Sequence, residues 1–369
     1  MHASAMPSLA RKGRGAVTNP GVRYESTRTE AHDDGWGTLA AEFADLPPLP
    51  TTLTREHARS ALSWNDSPDI GFDRSLNPYR GCEHGCIYCY ARPAHAYVGM
   101  SPGLDFETRL MFKPNLPELL EKELSRPGYV PKPVALGANT DPYQPVERTL
   151  GITRRVLEVL ERFGHPVTIV TKGALVLRDL DILARLAERN LVHVCLSITT
   201  LDMKLARVME PRAANPLKRL AAVTELAKAG IPVGVLAAPM IPALNDMELE
   251  RILEASARAG ASRAGYVLLR LPLEIKEMFE AWLAEHHPDR AARVLALVRE
   301  TRGGRLYDAR FGQRQTGSGP YAELLAQRFR IALRRYGLEG RRTGGGISEG
   351  LDCSQFQPPC APARQLELL

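Results

Sequence analysis

Cysteine is scarce in this sequence. Six in 369 residues are too few to staple a disulfide-rich secreted scaffold. Long apolar runs are missing too. The most apolar stretch, residues 231–244, is broken by Pro232, Pro239 and Pro242 and falls short of the roughly 20 residues that span a bilayer. No membrane segment is therefore expected. The opening MHASAMPSLARKGRGAVTNP has no apolar core and no acid before Glu25, which reads as a basic arm and not as a secretory signal. No GxGxxG follows a candidate strand, and no GxxxxGK[ST] occurs, so neither familiar nucleotide-phosphate cradle is supported. Together these absences favour a cytoplasmic protein with free thiols.

What is present suits a folded enzyme-sized chain. The hydrophobic share is 44% and the charged share 24%, enough to bury a sizeable core. Residues 1–70 are rich in Ser, Thr, Pro, Gly and charge, with LPPLP at 46–50, and read as an irregular arm wrapping a domain. Short helical turns are expected near Leu39–Phe43 and Arg55–Leu62. From about Leu76 a regular alternation begins. Strands are expected near Leu76–Tyr79 and at Pro133–Ala138, Val167–Thr171, Val192–Ile198, Pro232–Ala238 and Gly265–Leu271. Helices are expected between them at Glu147–Arg162, Leu177–Glu188, Pro216–Ala229 and Asp246–Ala259. Thr153 is read as a helix-start residue, Asn245–Asp246 as a cap, and Gly164 and Gly230 as left-handed terminators. This is the pitch of successive βα units, hence a parallel sheet with right-handed crossovers. Six such units fit an open doubly wound sheet or an incomplete barrel.

Beyond His287 the pattern turns helical, with helices expected at Ala291–Glu300 and Tyr321–Tyr336. Lysine disappears there: residues 288–369 hold 14 Arg, no Lys and 8 acids, a local +6 equal to the whole chain's net charge. Arginine without lysine favours forked recognition of phosphate or carboxylate. Arg310, Arg314, Arg328, Arg330, Arg334, Arg335, Arg341 and Arg342, interleaved with Tyr307, Phe311, Tyr321 and Phe329, form a candidate nucleic-acid surface. A solvated helix face is the competing reading.

Cys82, Cys86 and Cys89 form C-x3-C-x2-C within CEHGCIYC. Three thiolates this close suit a soft metal centre. A closed zinc site needs four ligands; His84 lies inside the tight loop, and His95 is the better zinc candidate. Three cysteines without a fourth suit a four-iron cluster with one iron left open. Cys195 reads as a small buried residue, and Cys353 and Cys360 as free thiols.

C-x3-C-x-aromatic-C at the end of the first strand of a βα series resembles the radical S-adenosylmethionine (radical SAM) superfamily, over roughly residues 75–275. Within it, CIYCY, NTDPYQPVE, VTKG and SITT are similar to the spore photoproduct lyase-like branch. The resemblance implies an α/β fold: an incomplete (β/α)6 TIM-type barrel at 71–287, with the irregular arm 1–70 and a helical extension at 288–369. It implies a [4Fe–4S] cluster on the three cysteines, with S-adenosylmethionine chelated at the open iron. One electron from an external donor of flavodoxin or ferredoxin type splits the sulfonium to methionine and a 5′-deoxyadenosyl radical, which abstracts hydrogen from a substrate.

By the same resemblance Tyr88 lies against the adenosine. Lys172 and Ser197 pair the S-adenosylmethionine carboxylate, with Thr199 at the same edge. Asn139, Thr140, Asp141 and Gln144 crowd the second strand's end, where they serve the cofactor amino group or the substrate, or else open a turn and cap the next helix. Pro239, Met240 and Ile241 border the adenine. Tyr90 matches a tyrosine that helps return a hydrogen atom in spore photoproduct lyases. The cysteine that accompanies it on the second strand is missing, since Val134–Asp141 contains none. The implied reaction is radical chemistry on a nucleic acid, in DNA repair or RNA modification. The alternatives are the same chemistry on a protein or small molecule, or a non-enzymatic zinc or iron–sulfur protein.

Overall fold

The computed structural model describes residues 11–24, 49–340 and 350–358. Its strands in chain order are β1 (Thr52–Arg55), β2 (Ser63–Trp64), β3 (Arg74–Leu76), β4 (Tyr79–Arg80), β5 (Arg109–Phe112), β6 (Val134–Leu136), β7 (Val167–Thr171), β8 (Val192–Ser197), β9 (Val233–Met240), β10 (Arg263–Leu268) and β11 (Glu339–Gly340). The main sheet runs β11-β10-β9-β8-β7-β6-β3-β2. All neighbours in it are parallel except the antiparallel β2–β3 pair. From β3 through β6 to β10 each strand lies beside its predecessor, so the order never reverses as it does in a doubly wound sheet. A small mixed sheet, β1-β5-β4, stands apart. The architecture is an α/β fold with mixed sheets.

The strands β6 and β8 are buried at every residue, as in parallel strands covered on both faces. Leu136, Ile169, Val194 and Val235 join the main core with Val156, Leu160, Leu183, Val223 and Ile252 from the covering helices. A second core sits at the strands' carboxyl ends. There Ala16 and Val17 of the arm pack with Ile87 and Tyr88, and with Phe279 and Trp282 of the helix Ile275–His286. Residues 15–17 of the arm thus dock on the domain beside the cysteine loop.

Several expectations need correction. Arg55–Leu62 opens in a strand, because Thr52–Arg55 pairs in parallel with β5. Glu147–Arg162 is two helices, Glu147–Leu150 and Ile152–Arg162, parted at left-handed Gly151. Thr153 does not cap the second; its hydroxyl donates to the Pro142 carbonyl. Asn245 makes no side-chain cap either. Its amide accepts from Ile241 N–H and donates to the Thr199 and Pro239 carbonyls, locking the chain beyond β9. Gly164 and Gly230 are left-handed as expected. Leu39–Phe43, Arg341, Arg342 and Cys360 lie outside the described residues.

The C-terminal segment fills the sheet's free edge. Leu268 N–H donates to the Gln315 carbonyl, and Gln315 Nε2 donates to the Asp69 carbonyl 2.9 Å away. Arg314 forks onto the Asp69 carboxylate. Residues 312–315 therefore join β10 to the segment that leads into β3. The helix Pro320–Tyr336 packs beside the helix Leu249–Arg258. Among the described residues no helix is long and apolar enough to cross a membrane.

Candidate functional site

The cysteine loop begins two residues after β4 and is buried against the arm and the sheet's carboxyl edge. Cys82 is 7% and Cys86 8% exposed, Cys89 is partly buried, and all three are free thiols. Backbone bonds fold the loop tightly: Gly85 N–H to the Cys82 carbonyl, Cys89 N–H to the Cys86 carbonyl and Ile87 N–H to the Met209 carbonyl. Burial raises all three thiol pKa values, Cys86 to about 12. The thiols lie close enough to repel one another as thiolates, with the Lys172 ammonium countering at Cys86 and Cys89. Such thiols stay protonated unless a cationic group binds them. A disulfide does not use them, and among the described residues the other cysteines, Cys195 and Cys353, lie elsewhere, on β8 and in the tail. The donor set fits a four-iron cluster with an open iron. Among the described residues no three His, Cys, Asp or Glu side chains converge on a single metal ion, as closed zinc coordination requires. His95 bonds the Arg109 carbonyl and packs edge-on against Phe106, so it is not the fourth ligand. His84 pairs with Asp141 at 3.3 Å.

The structure brings together Tyr88 of the cysteine motif and three residues expected at the strand ends, Lys172, Ser197 and Thr199. Lys172, just past β7, donates from Nζ to Ser197 Oγ at 2.9 Å. The same ammonium lies 5.7 Å from the Tyr88 ring centroid. Ser197 and Thr199 both donate to the Ala238 carbonyl, and Tyr88 O–H reaches Thr199 Oγ1 and Glu210. Met240 and Ile241 are fully buried. Asp141 accepts from Thr171 Oγ1 and Lys172 N–H, tying the loop after β6 to the end of β7. Gln144, also fully buried, accepts from Glu83 N–H and donates to the Gly81 carbonyl, gripping the cysteine loop. Thr140 bonds the Tyr79 carbonyl, and Asn139 N–H bonds Asn77; neither bond runs to the Lys172 group. Tyr90 is half-exposed, with its hydroxyl on the Ala138 carbonyl.

Sequence reasoning missed the buried ions that hold this arrangement. Arg219 pairs with Glu210 and donates to the Ser197 carbonyl. Burial pushes the Glu210 carboxyl up, but Arg219 and Lys172 bring it net down to about 2, so it stays ionised. Arg92 donates to the Gly85, Cys86, Pro102 and Gly103 carbonyls and pairs with Glu107. Glu107 in turn accepts Gly15 and Ala16 N–H from the arm. An Arg three residues past the last cysteine was the available signal. Cys195 is buried on β8, 3.7 Å from His193 Nδ1. Cys353 is partly buried, and burial raises its thiol pKa.

A buried thiol triad, with an ammonium and hydroxyls across the carboxyl ends of parallel strands, defines a class: α/β enzymes that work through a soft metal cluster. Comparison narrows this. The radical SAM superfamily pattern matches residues 76–255. The protein Rv2578c of Mycobacterium tuberculosis (strain ATCC 25618 / H37Rv) is 36% identical over 273 residues, 73% of this chain and 76% of that one. The protein MJ0683 of Methanocaldococcus jannaschii is 28% identical over 173 residues, 47% of this chain and 62% of that one. Spore photoproduct lyase complexed with dinucleoside spore photoproduct shares the fold, with a TM-score of 0.56 at 18% identity over 78% of this chain and 81% of that one. The chain belongs to the radical SAM superfamily. It is accordingly an enzyme, with a [4Fe–4S] cluster and S-adenosylmethionine as cofactors. Enzymes of this superfamily draw an electron from an external donor.

Proposed function

We propose that Cys82, Cys86 and Cys89 hold the cluster, within an incomplete (β/α)6 barrel at residues 71–287 flanked by the arm 1–70 and the extension 288–369. Together the cluster and S-adenosylmethionine supply a 5′-deoxyadenosyl radical by one-electron cleavage of a C–S bond, leaving methionine. The chain's own residues bind, orient and shield. Lys172 and Ser197 take the S-adenosylmethionine carboxylate, Tyr88 lies against its adenosine, and Asn139 and Thr140 serve its amino end. The Glu210–Arg219 pair fixes Tyr88 and Ser197 in place. The arm and Arg92 close the loop's outer side against water. Tyr90, next to the third cysteine, is the hydrogen carrier toward substrate. A flavodoxin or ferredoxin type protein delivers the electron.

The substrate in this reading is a nucleic acid. Arg330, Arg334 and Arg335 support it: all are exposed on the helix Pro320–Tyr336, and among the described residues none has a carboxylate partner. The fold shared with spore photoproduct lyase, which has been seen complexed with a dinucleoside spore photoproduct, supports it too. One observation carries the assignment of the site, the 2.9 Å contact of Lys172 with Ser197 beside the buried thiols. Anaerobically reconstituted protein is expected to hold about four irons with sulfide and to release 5′-deoxyadenosine under dithionite. Cys86→Ala should lose both; undiminished release would refute the cluster assignment.

A further inference from the structure

Arg270 lies two residues beyond the end of β10, in LRLP, at the sheet edge that carries the cysteine loop. Its guanidinium stands 5.4 Å from the ring centroid of Tyr90, the residue that follows Cys89. Tyr90 is anchored through its hydroxyl on the Ala138 carbonyl beyond β6, so its ring is held in place beneath that charge. Arg270 Nε is buried and has no hydrogen-bond partner. Among the described residues no carboxylate pairs with this guanidinium.

Other arginines around the site are committed. Arg219 holds Glu210, Arg92 holds Glu107 and Arg314 holds Asp69. Arg302 donates to the Leu268, Leu269 and Gln313 carbonyls. Burial and then the neighbouring Arg270 charge lower the Arg302 pKa to about 10. Two guanidiniums therefore stand together, one spent on the backbone and the other not. A planar fork without a partner, on a fixed aromatic ring, is an arrangement that receives a phosphate while a base stacks nearby.

We propose that Arg270 is a substrate-binding residue that forks onto a backbone phosphate of a single-stranded nucleic acid, placing the adjacent nucleotide over Tyr90 and beside the cysteine loop. This rests on the nucleic-acid reading above and names the residue that gives it register. The aromatic ring beneath the Arg270 fork favours a phosphodiester with its neighbouring base over a lone carboxylate, because only the former also brings a plane to stack.

The test uses the anaerobic reconstituted holoprotein and a fluorescein-labelled single-stranded thymidine decamer, titrated across a salt series. Arg270→Gln should weaken binding about tenfold and reduce the slope of log affinity against log salt by about 0.7, one phosphate contact. Arg270→Lys should keep the slope and lose part of the affinity, since it retains the charge without the fork. Melting temperature and iron content confirm that each variant is folded and loaded. If wild-type protein binds the decamer and Arg270→Gln changes neither affinity nor slope, the assignment of Arg270 falls while the nucleic-acid reading stands. If wild-type protein ignores the decamer, or binds an aspartate-rich decapeptide in its place, both fall.

Discussion

Lys172 has two fixed neighbours. Ser197 Oγ accepts from its ammonium at 2.9 Å, and the Tyr88 ring centroid lies 5.7 Å from it. Both sit at strand or loop ends held by buried bonds, so the charge is positioned before any ligand arrives. Lys172→Met removes the charge and keeps most of the volume. It should weaken S-adenosylmethionine binding at least about tenfold, read by calorimetry on loaded protein, while iron content stays near wild type. Unchanged affinity would place the cofactor carboxylate elsewhere. This group was legible in the sequence because each member ends a β-rich run or lies in the cysteine motif. Glu210, Arg219 and Arg92 were not legible. A charged residue in a sequence looks solvated until its partner is known. Arg92 and Glu107 are both fully buried, yet they lie 15 residues apart in the chain. Asn139 and Thr140 each make a bond to the loop before or within β4, from the Asn139 backbone N–H to Asn77 and from the Thr140 hydroxyl to the Tyr79 carbonyl, which a polar cluster in a sequence does not foretell.

At the scale of elements, the βα alternation was readable because parallel strands buried on both faces are nearly continuous apolar runs. The short strands β1, β2 and β5 were not, since β1 and β2 are exposed throughout and carry no buried-face signal. Composition pointed to an arm lying on the domain but not to where it touches, and residues 14–17 reach the site most directly. Gly15 lies so close to the cysteine loop that a Cβ there would come within 1.9 Å of the Gly85 carbonyl oxygen. Backbone meets backbone at that point, so no rotamer change relieves the contact. Gly15→Ala should cost about 1–3 kcal/mol, or else lift the arm off Glu107 and the loop. The expected outcome is a lower melting temperature together with faster bleaching of the cluster absorbance in air. Wild-type bleaching with a lower melting temperature would mean that the arm stabilises the fold but does not shield the loop.

Across the whole molecule, the C-terminal excess of positive charge divides into two populations that the sequence could not separate. One is structural. Arg314 reaches Asp69, Arg328 reaches Glu250, and Arg302 ties three carbonyls. Through Arg314 the extension ties β10 to the segment before β3, and through Arg328 and Arg302 it holds the helix Leu249–Arg258 and the end of β10. The other population, Arg330, Arg334 and Arg335, faces solvent on the last helix. Spacing along a helix does not fully reveal this split, because Arg328 and Arg335 are seven residues apart on one face, yet among the described residues only Arg328 has a carboxylate partner. The two groups should therefore respond oppositely to substitution. Arg314→Ala leaves a largely buried Asp69 carboxylate without its fork, which should cost about 2 kcal/mol in urea denaturation. That loss should leave the salt slope of oligonucleotide binding unchanged. The double variant Arg334→Ala, Arg335→Ala should leave the urea midpoint within about 0.5 kcal/mol of wild type and flatten the salt slope by one to two phosphate contacts, about 0.7 each. If both variants lose stability and neither alters the slope, the extension serves only to complete the sheet, and the nucleic acid must be sought at Arg270 alone.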